Sequence, residues 1–251
     1  MNPESDFYVG YLPKAPTGLS RFVRRIVIAL GLFIVTLAIA LSLGQMPFAK
    51  SYFEFGKVRN FEGTVVARPY PSLLITRPGQ PGKEDRASDY LLVSPGKHGA
   101  DDVIRNFAGK NVRLRGQLIY RDGQTMVEIE PVSIHETGVQ SAEEAAARSF
   151  GTLTLTGEIV DSKCYLGVMN PGKGKVHRDC ASRCLSGGIP PLFVDFLSGK
   201  TFLLVGGDES ALPYDELRPF IAEPLTIQGE HLQRGEQSLL RIDPHRLQHS
   251  D

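Results

Sequence analysis

From Ile26 to Ala49 the chain reads IVIALGLFIVTLAIALSLGQMPFA, without one charged residue, and it is apolar on every face of a helix. A run of this length and evenness matches the hydrocarbon core of a bilayer rather than one buried stripe of a soluble fold. The pattern predicts a transmembrane helix over residues 25–48. Lys14, Arg21, Arg24 and Arg25 precede it, and Lys50, Lys57 and Arg59 follow. That balance places a tail, residues 1–24, in the cytoplasm and the remainder outside it. A cleaved signal peptide is the competing reading. The long leader and the length of the run favour a retained anchor.

Beyond the anchor the pattern changes to short alternating runs, and it does so twice. NFAGKNVRLRGQLIYRDGQTMVEIEPVSI, from Asn106, aligns without a gap on PFIAEPLTIQGEHLQRGEQSLLRIDPHRL, from Pro219. Gly116 falls on Gly229, Arg121 on Arg234, Gln124 on Gln237, Ile129 on Ile242 and Pro131 on Pro244, and the apolar positions track as well. This is the signature of an internal duplication. Each copy reads as a hairpin turning at Asp122-Gly123 or Gly235-Glu236. Each is preceded by a short helical connector, DDVIRNFAG or YDELRPFI. Further upstream lie two apolar runs, LLITR and DYLLV or LFVDF and TFLLV. A first strand, FEGTVVA or LTGEIVD, carries a glycine where a small barrel must bend. Strand, strand, strand, helix, strand, strand is the connectivity of an OB-fold.

The fold expected is therefore mostly β: one transmembrane helix and two tandem OB-like five-stranded barrels, over residues 56–136 and 151–249. SAEEAAARSF between them carries a capping-box pattern, so residues 137–150 are expected to form a linker helix.

The copies differ most between their first two strands. Copy one has only a few residues there, around RPYP, whereas copy two, over residues 161–191, has an insertion of about 25 residues, far beyond a usual hairpin loop. It contains all three cysteines of the chain, Cys164, Cys180 and Cys184, together with His177. On a short helix His177, Cys180 and Cys184 share one face, which Cys164 can approach from the loop. Three thiols and an imidazole form a tetrahedral donor set suited to zinc, copper or haem iron, although the spacing follows no standard zinc or c-type haem signature. A disulfide from Cys164 to Cys180 or Cys184, leaving one thiol over, is the alternative suited to an oxidising compartment. A catalytic thiol pair is the third. Lys173, Lys175 and Arg178 make a small basic cluster that could contact an anion. Copy one's longer second loop, RPGQPGKEDRAS, carries no ligand set, which suggests a spacer or docking role for that copy.

Composition narrows the function classes. The 28 Lys and Arg balance 28 Asp and Glu, which argues against nucleic acid as a partner. No nucleophile elbow, paired carboxylates or Ser/His/Asp arrangement appears, so no catalytic residue is assigned and enzymatic activity is not the first expectation.

GEIVDSKCYLGVMNPGKGK, HRDCASRC and GGIPPLF together resemble a family of uncharacterised bacterial membrane-anchored proteins. That resemblance implies placement in a bacterial inner membrane and no particular activity. In plan, an anchor followed by an exported OB-fold also resembles the periplasmic haem chaperone of cytochrome c maturation. The haem-linking motif of that family, a histidine followed after three residues by a tyrosine, is absent here. The expected function is a single-pass, inner-membrane accessory or assembly protein of a periplasmic redox or metal-handling system, with a redox protein as partner. Thiol-disulfide exchange by Cys164, Cys180 and Cys184 and a purely structural, disulfide-stapled scaffold are the alternatives.

Overall fold

A computed structural model describes residues 15–44, 51–77, 86–138 and 146–249. The chain divides into two units, residues 1–49 and 50–251.

The first unit contains the helix α1, Thr17–Gly44, with none of its side chains buried. It starts earlier than expected, taking in Arg21, Arg24 and Arg25, and the last expected positions, 45–48, lie outside the described residues. By length and composition it can cross a membrane. Its charge-free part, from Ile26, is about 28 Å long at 1.5 Å per residue, close to a hydrocarbon core.

The second unit is mostly β. Its first copy comprises β1 (Ser51–Phe53), β2 (Arg59–Val66), β3 (Ser72–Arg77), β4 (Arg86–Ser94), β5 (His98–Gly99), α2 (Asp101–Ile104), β6 (Asn111–Arg121), β7 (Gln124–Ile129) and β8 (His135–Glu136). The second comprises β9 (Arg148–Asp161), α3 (Arg178–Ser186), β10 (Pro191–Asp195), β11 (Thr201–Val205), α4 (Tyr214–Leu217), β12 (Leu225–Arg234), β13 (Gln237–Arg241) and β14 (Gln248–His249). Each copy closes into a five-strand barrel. In the first the order is β2-β3-β4-β7-β6 and back to β2; in the second it is β9-β10-β11-β13-β12 and back to β9. The closing pairs β4–β7 and β11–β13 are parallel, and the other pairs around each barrel are antiparallel.

The duplication holds in detail. Both connectors fold as one α turn followed by a 3-10 turn, α2 with Arg105–Phe107 and α4 with Arg218–Phe220. Gly63 on β2 and Gly157 on β9 occupy matching bends. A Cβ there would collide with the carbonyl of Leu74 or Val194 on the next strand, so only glycine lets the sheet curl this tightly.

Upstream of the expected start of the first barrel at residue 56, β1 pairs with β6 outside the five-strand ring, with Tyr52 opposite Tyr120. Half of the predicted linker helix, residues 139–145, lies outside the described residues. Its last residues, 148–150, belong to β9 instead, where Arg148 and Ser149 extend the ladder opposite Gln233 and Leu232. Copy one's RPGQPGKEDRAS loop likewise falls mostly outside the described residues.

The barrels are not beads on a string. Leu92 and Val127 fill the first barrel, and Phe193, Leu204 and Leu240 fill the second. Their strand neighbours Leu91, Val93 and Met126 meet Leu192, Val194, Leu203, Val205 and Leu239 in a third apolar core between the two. These strands are apolar on both faces because both faces are buried. Met126 and Leu239, equivalent in the repeat, both face this shared core, as do Ile119 and Leu232. The aligned arginines reach across reciprocally: Arg121 donates to the Tyr165 carbonyl at 2.9 Å, and Arg234 donates to the Arg68 carbonyl at 3.2 Å. The two copies therefore pack through matching faces, as an isologous dimer does, within one chain.

Candidate functional site

The insertion of the second copy leaves β9 at Asp161, which is fully buried, and turns at once through Ser162 and Lys163 into a single wide turn, Cys164–Val168. It returns through a 3-10 turn, Lys175–His177, that runs directly into α3. The expected short helix is present, with Ala181 and Leu185 packed on the second barrel's core while Cys184 faces the shared one. The predicted cysteine site thus lies at the seam between the barrels.

There the three sulfurs converge. Cys164 Sγ is 3.9 Å from Cys180 Sγ and 4.0 Å from Cys184 Sγ, and all three lie within 4.8 Å of one another. Cys164 and Cys184 are buried and Cys180 is half-buried. All three are free thiols. The hydrogen bond between Cys164 and Cys184, together with burial, pushes the Cys164 thiol well up. The same bond, aided by the Lys97 ammonium, brings the Cys184 thiol below its ordinary value against the opposing effect of burial.

His177 does not complete this set. It is buried, with Nε2 3.0 Å from Asp161 Oδ2, while the Asp161 Oδ1 accepts the Cys164 backbone N–H at 2.8 Å. Asp161, Cys164 and His177 form a second donor group that shares only Cys164 with the first. The carboxylate fixes both the imidazole and the start of the cysteine turn.

The group above the thiols comes from the other barrel. Lys97, on the turn between β4 and β5, places its Nζ 2.7 Å from Cys180 Sγ and 3.7 Å from Cys184 Sγ. Its ammonium is stabilised first by that bond to Cys180 and held above the ordinary lysine range. Lys163 anchors the same turn. It is almost fully buried, donates to the Ser94 carbonyl at 2.9 Å and the Gly96 carbonyl at 2.7 Å, and pairs with Glu128 on β7. Gly187, just past α3, completes the junction by accepting the Gly99 N–H at 2.8 Å. A Cβ at Gly187 would collide with the Lys97 carbonyl.

Lys97, Lys163 and Asp161 are the site residues that spacing did not reveal. The first copy supplies part of the site rather than acting only as a spacer. Of the three basic residues read as an anion contact, Lys175 and Arg178 both turn to Glu223, at 3.7 and 2.6 Å, and Lys173 is exposed. No family model, curated protein or solved structure matches the chain.

Proposed function

We propose that this is a single-pass inner-membrane protein whose two OB-like barrels lie on the periplasmic side and hold one soft metal ion at Cys164, Cys180 and Cys184, as an accessory or assembly factor of a redox or metal-handling system. The apolar helix α1 with its arginine-rich lead supports the anchor and its orientation. The strand order, with its parallel closing pair and connector helix, supports the OB-like reading.

The observation that carries the metal reading is the sulfur spacing. Bonds of about 2.3 Å to a tetrahedral ion set neighbouring sulfurs about 3.8 Å apart. The separations of 3.9 and 4.0 Å are close to that, and the third pair, Cys180 and Cys184, lies within 4.8 Å. Three thiolates around a divalent ion carry one net negative charge, which the Lys97 ammonium beside Cys180 neutralises. Zinc fits this charge balance better than cuprous copper, which would leave two negative charges against one lysine. His177 is held by Asp161, so the fourth position is left to water or to a donor from a partner protein. An open position is what a protein that passes a metal on requires.

Full-length protein, purified in detergent under reducing, chelator-free conditions, is expected to contain one ion per chain, lost in Cys184→Ser and retained in His177→Gln. No metal in the native protein would end the reading. Thiol-disulfide exchange is the second reading, favoured by the nearly equal distances from Cys164 to its two neighbours. It predicts metal-free protein with one free thiol after aerobic purification.

A further inference from the structure

The contact between Lys97 and Cys180 is shorter than an ordinary ammonium-to-sulfur hydrogen bond. N–H···O bonds span about 2.7–3.2 Å, and sulfur is larger than oxygen by about 0.3 Å in radius, so a nitrogen resting on sulfur belongs near 3.3 Å. Here Nζ lies 2.7 Å from Sγ. A single oxygen atom bonded to both spans that gap, since bonds of about 1.5 and 1.7 Å meeting at a bent oxygen place nitrogen and sulfur about 2.6 Å apart. Lys97 is half-buried and Cys180 is half-buried, so small oxidants can reach the pair. The backbone under each partner is fixed independently: Lys163 grips the carbonyls of Ser94 and Gly96, and Gly99 is bonded to Gly187.

We propose that Lys97 and Cys180 are a covalent oxidative modification site, forming a nitrogen–oxygen–sulfur bridge between the two barrels with dioxygen as the oxidant. After the Lys97 ammonium releases one proton to solvent, the amine, the Cys180 thiol and one O₂ give the S–O–NH bridge and one water. The S–H bond and one N–H bond break, an N–O and an O–S bond form, and the O–O bond is cleaved. The second oxygen atom leaves as water with the two hydrogens released. Sulfur and nitrogen each lose two electrons, and dioxygen takes up all four.

This inference needs only Lys97 and Cys180, so it stands apart from the metal reading. Where both hold, the bridge removes one thiolate from the ligand set, and metal content falls in proportion to the bridged fraction.

The test is peptide mass spectrometry on the full-length protein, made aerobically, purified in detergent without reductant, and digested with trypsin with and without a reducing agent. The bridge adds one oxygen and removes two hydrogens. The expected result is a cross-linked pair of peptides containing Lys97 and Cys180, heavier than their sum by about 14 Da, with no cleavage after Lys97, and both effects reversed by reductant. Lys97→Arg should abolish the species. If the Lys97 peptide is cleaved normally in aerobic and O₂-saturated samples, or if Cys180 carries only a disulfide or a sulfenic acid, the proposal is wrong. Metal content measured on anaerobically reduced protein keeps that failure distinct from failure of the metal site.

Discussion

Replacing Lys163 by methionine keeps the volume of the buried stem and removes the charge that ties the cysteine insertion to the first barrel. The loss can be worked from what is left behind. Glu128, with a side chain only 12% exposed, loses its partner, and the buried Ser94 carbonyl loses a donor, while Gly96, an exposed residue, can have its carbonyl rehydrated. Removing one partner of a buried ion pair costs about 3–5 kcal/mol, and the easy hydration of Gly96 places this case near the lower end, about 3 kcal/mol. Adding Glu128→Gln removes the stranded charge and should restore about 1–2 kcal/mol. The assay is urea unfolding of the full-length protein in detergent, followed by far-ultraviolet circular dichroism because the chain has no tryptophan. A loss below about 1 kcal/mol for Lys163→Met, or a double variant less stable than the single one, would refute the claim that this ion pair stabilises the seam.

Other consequences follow from the same contacts. Gly187→Ala forces the Lys97 turn off α3 and should cost about 2 kcal/mol by overpacking, with lower metal content than a surface Gly→Ala control. Because Leu91, Val93, Leu203 and Val205 share one core, the two barrels should unfold in a single transition; two resolved transitions would contradict a common core. Burial, with Lys200 nearby, holds His231 below the ordinary histidine range. The native state then binds fewer protons than the unfolded chain, so this contribution is complete above about pH 6.5 and is lost as pH falls from there. His231→Gln should flatten that part of the stability profile. External protease on spheroplasts should digest the barrels while leaving a membrane-embedded N-terminal fragment; protection of the barrels would reverse the orientation.

Much of this architecture can be read from particular residues. The gapless match of Gly116 to Gly229 and Arg121 to Arg234 marks the duplication, and the turn pairs Asp122-Gly123 and Gly235-Glu236 mark the hairpins. The glycines at 63 and 157 mark where each barrel bends. The cysteine insertion stands out because one copy has it and the other lacks it. The seam is harder to see, since periodicity reports that a strand face is apolar and not what covers it. The runs Leu91-Leu92-Val93 and Phe202-Leu203-Leu204-Val205 do carry the signal, as they are apolar on both faces where a lone barrel needs one. Lys97 lies 83 positions from Cys180, and nothing in a Pro-Gly-Lys-His turn foretells a sulfur beside it. His177 shares the helical spacing of the cysteines, but the carboxylate at the end of β9 claims its ring, and helical spacing alone cannot register such a competitor.

The most direct test of the central claim is X-ray absorption at the edge of the metal in full-length protein purified reduced and without chelator. The account predicts a shell of three sulfurs at about 2.3 Å and one lighter atom. A shell of nitrogen and oxygen alone, or a protein that carries no metal, would contradict it.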